Sequence, residues 1–377
     1  MDFGLTELQE MLKTSARDFL KNNCPKNLVK QMAKDIKGYT PELWKMMGEM
    51  GWMGLIVPEK YGGAGGSFLD LIVLLEEMGR ACLPGPFFST VVLGGITLIE
   101  DGSDEQKEAI LPRLAEGKVL MTLAVLEEDP GYNARNIKLK AVPIGADYLL
   151  NGRKMFVPDA HVSDYMIVAA RTQESINPDY GITLFLIETT TPGIKTNLLH
   201  TVTGDKQCEV TFENVKIPVT AIIGRINEGW SILKSVLEKA TVARCSEMVG
   251  AARQLLEMTV DYVKQRKAFG RPIGSFQAIQ HYCANMLTDV DGCSFLVNNA
   301  AWRISEGLPA SQDIAIAKAI TNEAFKKVAG LSFQSHGAIA FTEDSDVPLY
   351  YKRAKAWEIS FGDTDFHLES LADILGI

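Results

Sequence analysis

No two of the six cysteines (Cys24, Cys82, Cys208, Cys245, Cys283, Cys293) form a CxxC pair, and none of the five histidines is paired at ligand spacing. A zinc site and a disulfide framework are therefore not what organises this chain. Missing too is any apolar run of about eighteen residues, the least a membrane span needs. There is no Walker loop, no GxGxxG turn and no low-complexity tract. Cationic excess is also lacking. The 38 Lys and Arg stand against 47 Asp and Glu, a net charge of −9, which argues against general nucleic-acid binding. The opening MDFGLTELQEMLKTSARDFL carries acids early and is amphipathic, unlike a signal or transit peptide. The expected location is cytoplasmic, with neither membrane nor nucleic acid as a partner.

What is present is ordinary globular material: 377 residues, 46% apolar and 23% charged, enough for two or three compact units. Residues 1–118 read as helical. In 5-LTELQEMLKTSARDFL-20 apolar residues recur at three- and four-residue spacing behind Thr6, with Gln9 placed for a capping box. Further helices fit 41-PELWKMMGEM-50, with Pro at its start, and 68-FLDLIVLLEEMGR-80, apolar on most sides and so expected to be buried. Near Lys118 the pattern changes to short runs rich in Val, Ile, Thr, Phe and Tyr: 119–128, 148–157, 164–171, 182–189 and 208–217. Asn151-Gly152 is a hairpin-turn signal within them. From Gly229 the helical period returns, over 230–267, 275–306 and 312–332, with shorter pieces after 348. Cys245 and Cys283 fall in these helical patterns and read as small core residues. The expected fold is α+β: an N-terminal α-helical domain (1–118), a central β-barrel-like domain (119–228) and a C-terminal four-helix bundle (229–377).

Four segments carry candidate chemistry, each with a plain structural alternative. In 261-DYVKQRKAFGRPIGSFQAIQH-281 a cationic cluster meets a Gly/Pro break and an aromatic. It reads either as basic residues complementing a helix dipole or as an anion site for a diphosphate. The run 61-YGGAGGSFLDL-71 is a flexible substrate-side turn or a structural one. The tract 331-LSFQSHGAIAFTED-344 joins the third long helix to the next piece and offers Gln334, His336 and Gly337 to a ligand, or holds a structural His and a turn Gly. In 357-WEISFGDTDFHLESL-371, Asp363 and Thr364 are ordinary helix-cap residues.

Taken in order, these segments resemble the flavin-dependent acyl-CoA dehydrogenases along essentially the whole chain. The resemblance rests on 53-MGLIVPEKYGGAGGSFLDLIVLLEEMGR-80, 153-RKMFVPDAHVSDYMIVAAR-171, 334-QSHGAIAFTED-344, 352-KRAKAWEISFGDT-364 and, most specifically, 266-RKAFGRPIGSFQAIQH-281. The Phe-Val-Pro-Asp-Ala-His phrase is similar to the bacterial branch that acts on bulky or cyclic acyl groups. The resemblance implies an oxidoreductase that uses FAD to dehydrogenate an acyl-CoA thioester and passes electrons to an electron-transfer flavoprotein. It implies a homotetramer or heterotetramer. Arg266, Phe269 and Gln277 would reach a neighbouring subunit's dinucleotide, as would Gln334, His336 and Gly337. Phe156, Val157 and Pro158 would face the flavin ring, and Thr364 would lie near the adenine half.

The chain departs from the family where the catalytic base belongs. Aligning Thr364 with the family's Tyr-Glu-Gly-Thr phrase leaves Gly362 at the glutamate position, and the alternative base position on the long helix is Ala240. The usual Ser-bearing loop at the flavin and CoA is replaced by 127-EEDPGYNAR-135. Glu247 lies two turns beyond Ala240 on the same helix face and is the expected substitute base. Arg244 and Asp363 are assigned to the substrate side. The alternative for Glu247 is a structural ion pair with Arg244. The alternative for the whole chain is a non-catalytic, FAD-sharing partner subunit of a heterotetramer.

Overall fold

The computed structural model describes residues 4–377; Met1, Asp2 and Phe3 of the amphipathic opening stretch lie outside the described residues. Helices α1 (Glu7–Asn23), α2 (Lys26–Lys34), α3 (Pro41–Glu49), α4 (Phe68–Ala81), α5 (Ile96–Asp101) and α6 (Asp104–Ala115) come first. Strands β1 (Met121–Ala124), β2 (Lys140–Ile144), β3 (Asp147–Pro158), β4 (Tyr165–Arg171), β5 (Ile182–Glu188), β6 (Ile194–Leu199), β7 (Gln207–Pro218) and β8 (Ile222–Ile223) follow. Then come α7 (Gly229–Gln265), the two-residue strands β9 (Lys267–Ala268) and β10 (Arg271–Pro272), α8 (Gln277–Ser305), α9 (Ser311–His336), α10 (Val347–Ile359) and α11 (Thr364–Leu375). This is the α+β order read from the sequence. Among the described residues no helix is long and apolar enough to cross a membrane.

By packing, the chain forms two compact units. One gathers the chain up to Gln31 with Ser67–Leu83 and Thr241–Ile377; the other holds Met32–Gly66 and Pro84–Ala240.

In the helical unit, local sequence sets the helix starts. Thr6 and Gln9 form the expected capping box, and Ser67 with Asp70 forms another ahead of α4. Leu71 to Gly79 are all buried, so α4 is the central helix its apolar faces announced. Its buried acids are paired: Arg17 grips Glu77 with two hydrogen bonds of 2.9 and 2.7 Å, and Lys13 reaches Glu76 at 3.2 Å. Where α4 meets α7 each helix carries a glycine. A Cβ on Gly250 would lie 1.8 Å from the Glu76 carbonyl oxygen, and one on Gly79 would lie 2.0 Å from that of Glu247. Only a bare backbone permits this approach, and it fixes the helix turn on which Glu247 sits. The C-terminal helices pack around α9, which touches α8, α10 and α11. The fourth arm of the bundle is thus two helices, broken at 360–363.

The other unit is built on an eight-stranded mixed sheet, β6-β7-β3-β2-β4-β5-β8, with β1 beside β4. β2 and β4 meet at the single pair Lys140–Arg171, so two halves are hinged at one point and the sheet is open, only loosely barrel-like. Asn151-Gly152 is not a hairpin turn. It lies inside β3, where the register with β7 shifts and Gly152 takes φ +141°; the two-residue turn is Gly145-Ala146, between β2 and β3. Pairing of β3 on both edges overrides the local turn preference. The Gly-rich run is knit, not flexible. Its amides at Ala64, Gly65 and Gly66 donate to the carbonyls of Gly54, Val57 and Leu55 at 2.9, 2.9 and 2.8 Å. Gly63 is needed because a Cβ there would sit 2.1 Å from the Val57 oxygen.

Candidate active site

Glu247 is buried on α7 at 8% exposure, and Arg244, one turn earlier, is ion-paired with it. Arg244 also lies over the Trp357 ring, 5.0 Å from its centroid, and Arg353 approaches the same ring at 5.8 Å. Burial raises the Glu247 pKa above its ordinary value, with Arg244 and then Arg353 opposing. A desolvated carboxylate with a raised pKa is a competent proton acceptor near neutral pH. Ala240, at the family's alternative base position, is fully buried. The place of Trp357 and Arg353 beside Arg244 was not readable from the segment 352–364 in the sequence, because α10 reaches this helix face only through the fold.

The break between α10 and α11 shows why Gly362 is glycine. Its φ is +101°, and a Cβ would meet Phe366 Cδ1 at 2.3 Å and His367 Nε2 at 2.9 Å. Gly362→Glu is therefore expected to destabilise the protein by about 1–3 kcal/mol of backbone strain, with the clash added, and not to restore a base there. A lowered melting temperature with no gain in flavin reduction over a Glu247→Gln background is the outcome to measure. Asp363 caps α11, its Oδ1 accepting from the Phe366 amide at 2.9 Å, and Thr364 donates to Glu323 Oε1 at 2.8 Å. Lys318, wholly buried, donates to the carbonyls of Trp357 and Glu358 at 2.8 and 3.0 Å and to Asn322 at 2.6 Å. It satisfies the last carbonyls of α10, and burial brings its pKa down to about 8.

His367 is buried and donates from Nε2 to the Phe361 carbonyl at 2.9 Å, and burial pushes its pKa from 6.5 to about 4. Between those values the unfolded chain takes up a proton that the folded chain refuses, so stability is lost as pH falls from 6.5 toward 4. His367→Gln is expected to flatten that decline in urea midpoints measured across the window.

The cationic segment after α7 is a short ribbon. Phe269 stands at its tip with φ +53° and is 94% exposed. Phe276 meets it edge-on at 6.1 Å, with Arg271 4.2 Å over the Phe276 ring. Among the described residues the Arg266 side chain has no hydrogen bond or ion pair, and Gln277 opens α8 in solvent. Gln334 and His336 lie in the last turn of α9, not in a connecting loop. Gln334 and Gly337 face solvent. The His336 ring is buried, bonded to the Ser332 carbonyl at 2.9 Å and stacked on Tyr262 at 4.4 Å.

In the sheet unit, β3 bulges between Lys154 and Val157, giving Phe156 φ +54° and leaving it 44% exposed. Val157 is buried, and the Pro158 carbonyl accepts from Thr122 Oγ1 at 2.5 Å. The preceding residues tie down the 127–135 segment. Lys154, fully buried, donates to Glu127 Oε1 at 2.7 Å and to the Val125 carbonyl at 2.9 Å, while Arg153 pairs with Glu128. Sequence reasoning missed this latch, since its partners lie 27 positions apart. On the helical unit, the exposed Arg266 guanidinium, the exposed Phe269 ring and the small backbone at Gly337 are of the kinds a flavin dinucleotide needs, cation for diphosphate and flat apolar face for a ring, and the sheet unit by itself exposes the Phe156 ring. The residues present fit FAD. Among the described residues no cluster fits a metal ion, and all six cysteines are free, with Cys283 half-buried instead of in the core.

Comparison with known proteins accounts for nearly the whole chain. It matches the acyl-CoA dehydrogenase N-terminal domain over residues 6–118, the middle domain over 122–215 and the C-terminal domain over 227–376. It is 30% identical over 370 residues to probable acyl-CoA dehydrogenase YngJ of Bacillus subtilis (strain 168), covering 97% of each chain. Among solved structures, butyryl-CoA dehydrogenase from Megasphaera elsdenii is 29% identical with a TM-score of 0.93, both chains covered in full. A chain of the Tcur3481–Tcur3483 steroid ACAD variant is 26% identical with a TM-score of 0.88, 98% of each chain covered.

Proposed function

Since the chain belongs to the acyl-CoA dehydrogenase family of FAD-dependent CH–CH oxidoreductases, we propose that it desaturates a bulky or cyclic acyl-CoA thioester with Glu247 as the base. The observation that carries this reading is Glu247 itself, a carboxylate buried on α7, ion-paired with Arg244 and within the electrostatic reach of Arg353. The Glu247 carboxylate takes the α-proton, the β-hydrogen leaves with its electron pair, and the Cα–Cβ double bond forms. FAD, when bound, supplies the acceptor for that hydride. Arg244 holds the carboxylate oriented, and its stacking on Trp357 keeps the guanidinium anchored as the charge on Glu247 is lost. Arg266, Phe269, Gln277, Gln334 and Gly337 hold the dinucleotide, and Phe156 flanks the ring system. His336 acts from beneath, shaping the Gly337 turn. Arg244 and Asp363 border the substrate, Thr364 the adenine side. Electrons pass to an electron-transfer flavoprotein, and the working form is a homotetramer or heterotetramer.

Support for a bulky substrate comes from the Phe156–His161 phrase and from the likeness to a steroid acyl-CoA dehydrogenase. The test is a panel of acyl-CoA esters, from straight-chain to ring-bearing, scored by flavin bleaching; preference for short straight chains overturns the substrate class. One pair of observations favours a second reading. Gly362 and Ala240 stand at both base positions of the family, as in a partner subunit that shares FAD without catalysing. Activity that arises only on adding a homologous subunit decides for it.

A further inference from the structure

One buried charge of the helical unit has no part in the chemistry above. Lys318 on α9 is shut off from solvent, and its three donors go to three neutral oxygens: Asn322 Oδ1 and the carbonyls of Trp357 and Glu358. Among the described residues no carboxylate pairs with it. The acids nearest in effect are committed elsewhere, Glu358 to Lys326 at 2.5 Å and Asp363 to the cap of α11. On the α7 side stand Arg244, a second cation, and Cys245, whose thiol burial pushes up to about 12 and so keeps neutral. Cys293 of α8 acts on Cys245 and is likewise a thiol, pushed up by burial to about 11. On α11, burial first and this cation with it keep His367 neutral. Asn322, also fully buried, leaves its Nδ2 without an acceptor among the described residues. An unpaired buried ammonium beside an unsatisfied amide is costly. Costly burial of this kind points to a position that must be held, not merely filled.

What Lys318 holds is the end of α10. That helix stops at Ser360, which is extended with ψ +126° and forms no left-handed cap, so its last carbonyls depend on the lysine. Two turns along the same face of α9, Phe325 lies 6.3 Å from the Trp357 ring. Helix α9 therefore grips Trp357 at both its backbone and its ring. Over that ring lie the guanidinium groups of Arg244 and Arg353, and these are the two charges that oppose the rise in the Glu247 pKa. We propose that Lys318 is a positioning residue for the base: by fixing Trp357 it holds Arg244 against the Glu247 carboxylate, a role that rests on the dehydrogenase reading above. The whole relay, from Lys318 through Trp357 and Arg244 to Glu247, lies inside the helical unit.

The test titrates the Glu247 carboxyl itself, as the infrared difference between each protein and its Glu247→Gln counterpart, alongside the pH profile of flavin reduction by acyl-CoA. Lys318→Met keeps the length and removes the donors and the charge. It is expected to move the Glu247 midpoint to higher pH, because loosened guanidinium groups oppose burial less. The acid limb of the rate should move with it. At the plateau kcat should fall about ten- to hundredfold, as for a base displaced by up to about 1 Å, while KM for acyl-CoA holds. Trp357→Leu, at a half-buried position, should shift the midpoint in the same sense, and adding Lys318→Met to it should shift it little further. An unmoved midpoint in folded Lys318→Met overturns the proposal, whatever happens to the melting temperature. Shifts that add in full across the two variants also overturn it, since the lysine then acts apart from the ring. If Lys318→Met does not fold, Trp357→Leu decides alone, and an unmoved midpoint there overturns the relay. Midpoints that shift as expected in a chain whose wild type reduces no flavin with any ester keep the relay and overturn the reading of Glu247 as base instead.

Discussion

Glu247→Gln is expected to keep the fold, the FAD and CoA-ester binding while slowing flavin reduction by about 10²–10⁴-fold. The amide nearly matches the carboxylate in shape and can still accept a hydrogen bond from Arg244, but it takes up no proton at neutral pH. A purely structural pair forecasts the reverse. Removing one partner of a buried ion pair costs about 3–5 kcal/mol, so stability would fall while the rate barely moved. Melting temperature and single-turnover flavin reduction on this one variant separate the two. The pH profile adds a third reading. Burial raises the Glu247 pKa above 4.5, and the base works only when deprotonated, so the acid limb of the rate should lie above the ordinary carboxylate range. That limb should vanish in the variant's residual rate.

Arg266→Ala is expected to loosen FAD by about 1.5–3 kcal/mol, the worth of a hydrogen bond to a charged group. Its side chain is exposed and has no hydrogen bond or ion pair among the described residues, so its loss breaks none of their contacts of that kind. Flavin retained through gel filtration and equilibrium dialysis measures the effect, with melting of the apoprotein as the control. Retention equal to wild type would reduce the cluster to a helix end with a favourable dipole contact.

How much of this was legible depended on the range of the physics involved. Helix starts were, because a capping box is decided within four residues: Thr6 with Gln9 is formed as read. Burial of α4 was legible from its apolar faces. Strands β2 and β6 were not, because most of their residues face solvent and show no apolar alternation; pairing with neighbours holds them in place. Asn151-Gly152 misled for the same reason, since partners on both edges of β3 outweigh a local turn preference. At the site, Glu247 and Arg244 share a helix face and could be joined by spacing alone. Trp357, Arg353 and Lys318 could not, because only tertiary packing brings α9 and α10 to them. The conformation of Gly362 was equally hidden: the sequence showed a missing glutamate, and the structure shows a left-handed turn against Phe366 and His367.

The central claim is that this chain carries its own base and its own working flavin. It is tested most directly by mixing the purified chain, anaerobically and without any other protein, with a ring-bearing acyl-CoA and following flavin absorbance. The expected result is a yellow protein with about one FAD per chain that bleaches in a single turnover, and a Glu247→Gln variant that stays yellow. A wild-type chain that holds FAD yet stays oxidised with every ester, and bleaches only when a homologous subunit is added, would contradict it and place the base on the partner.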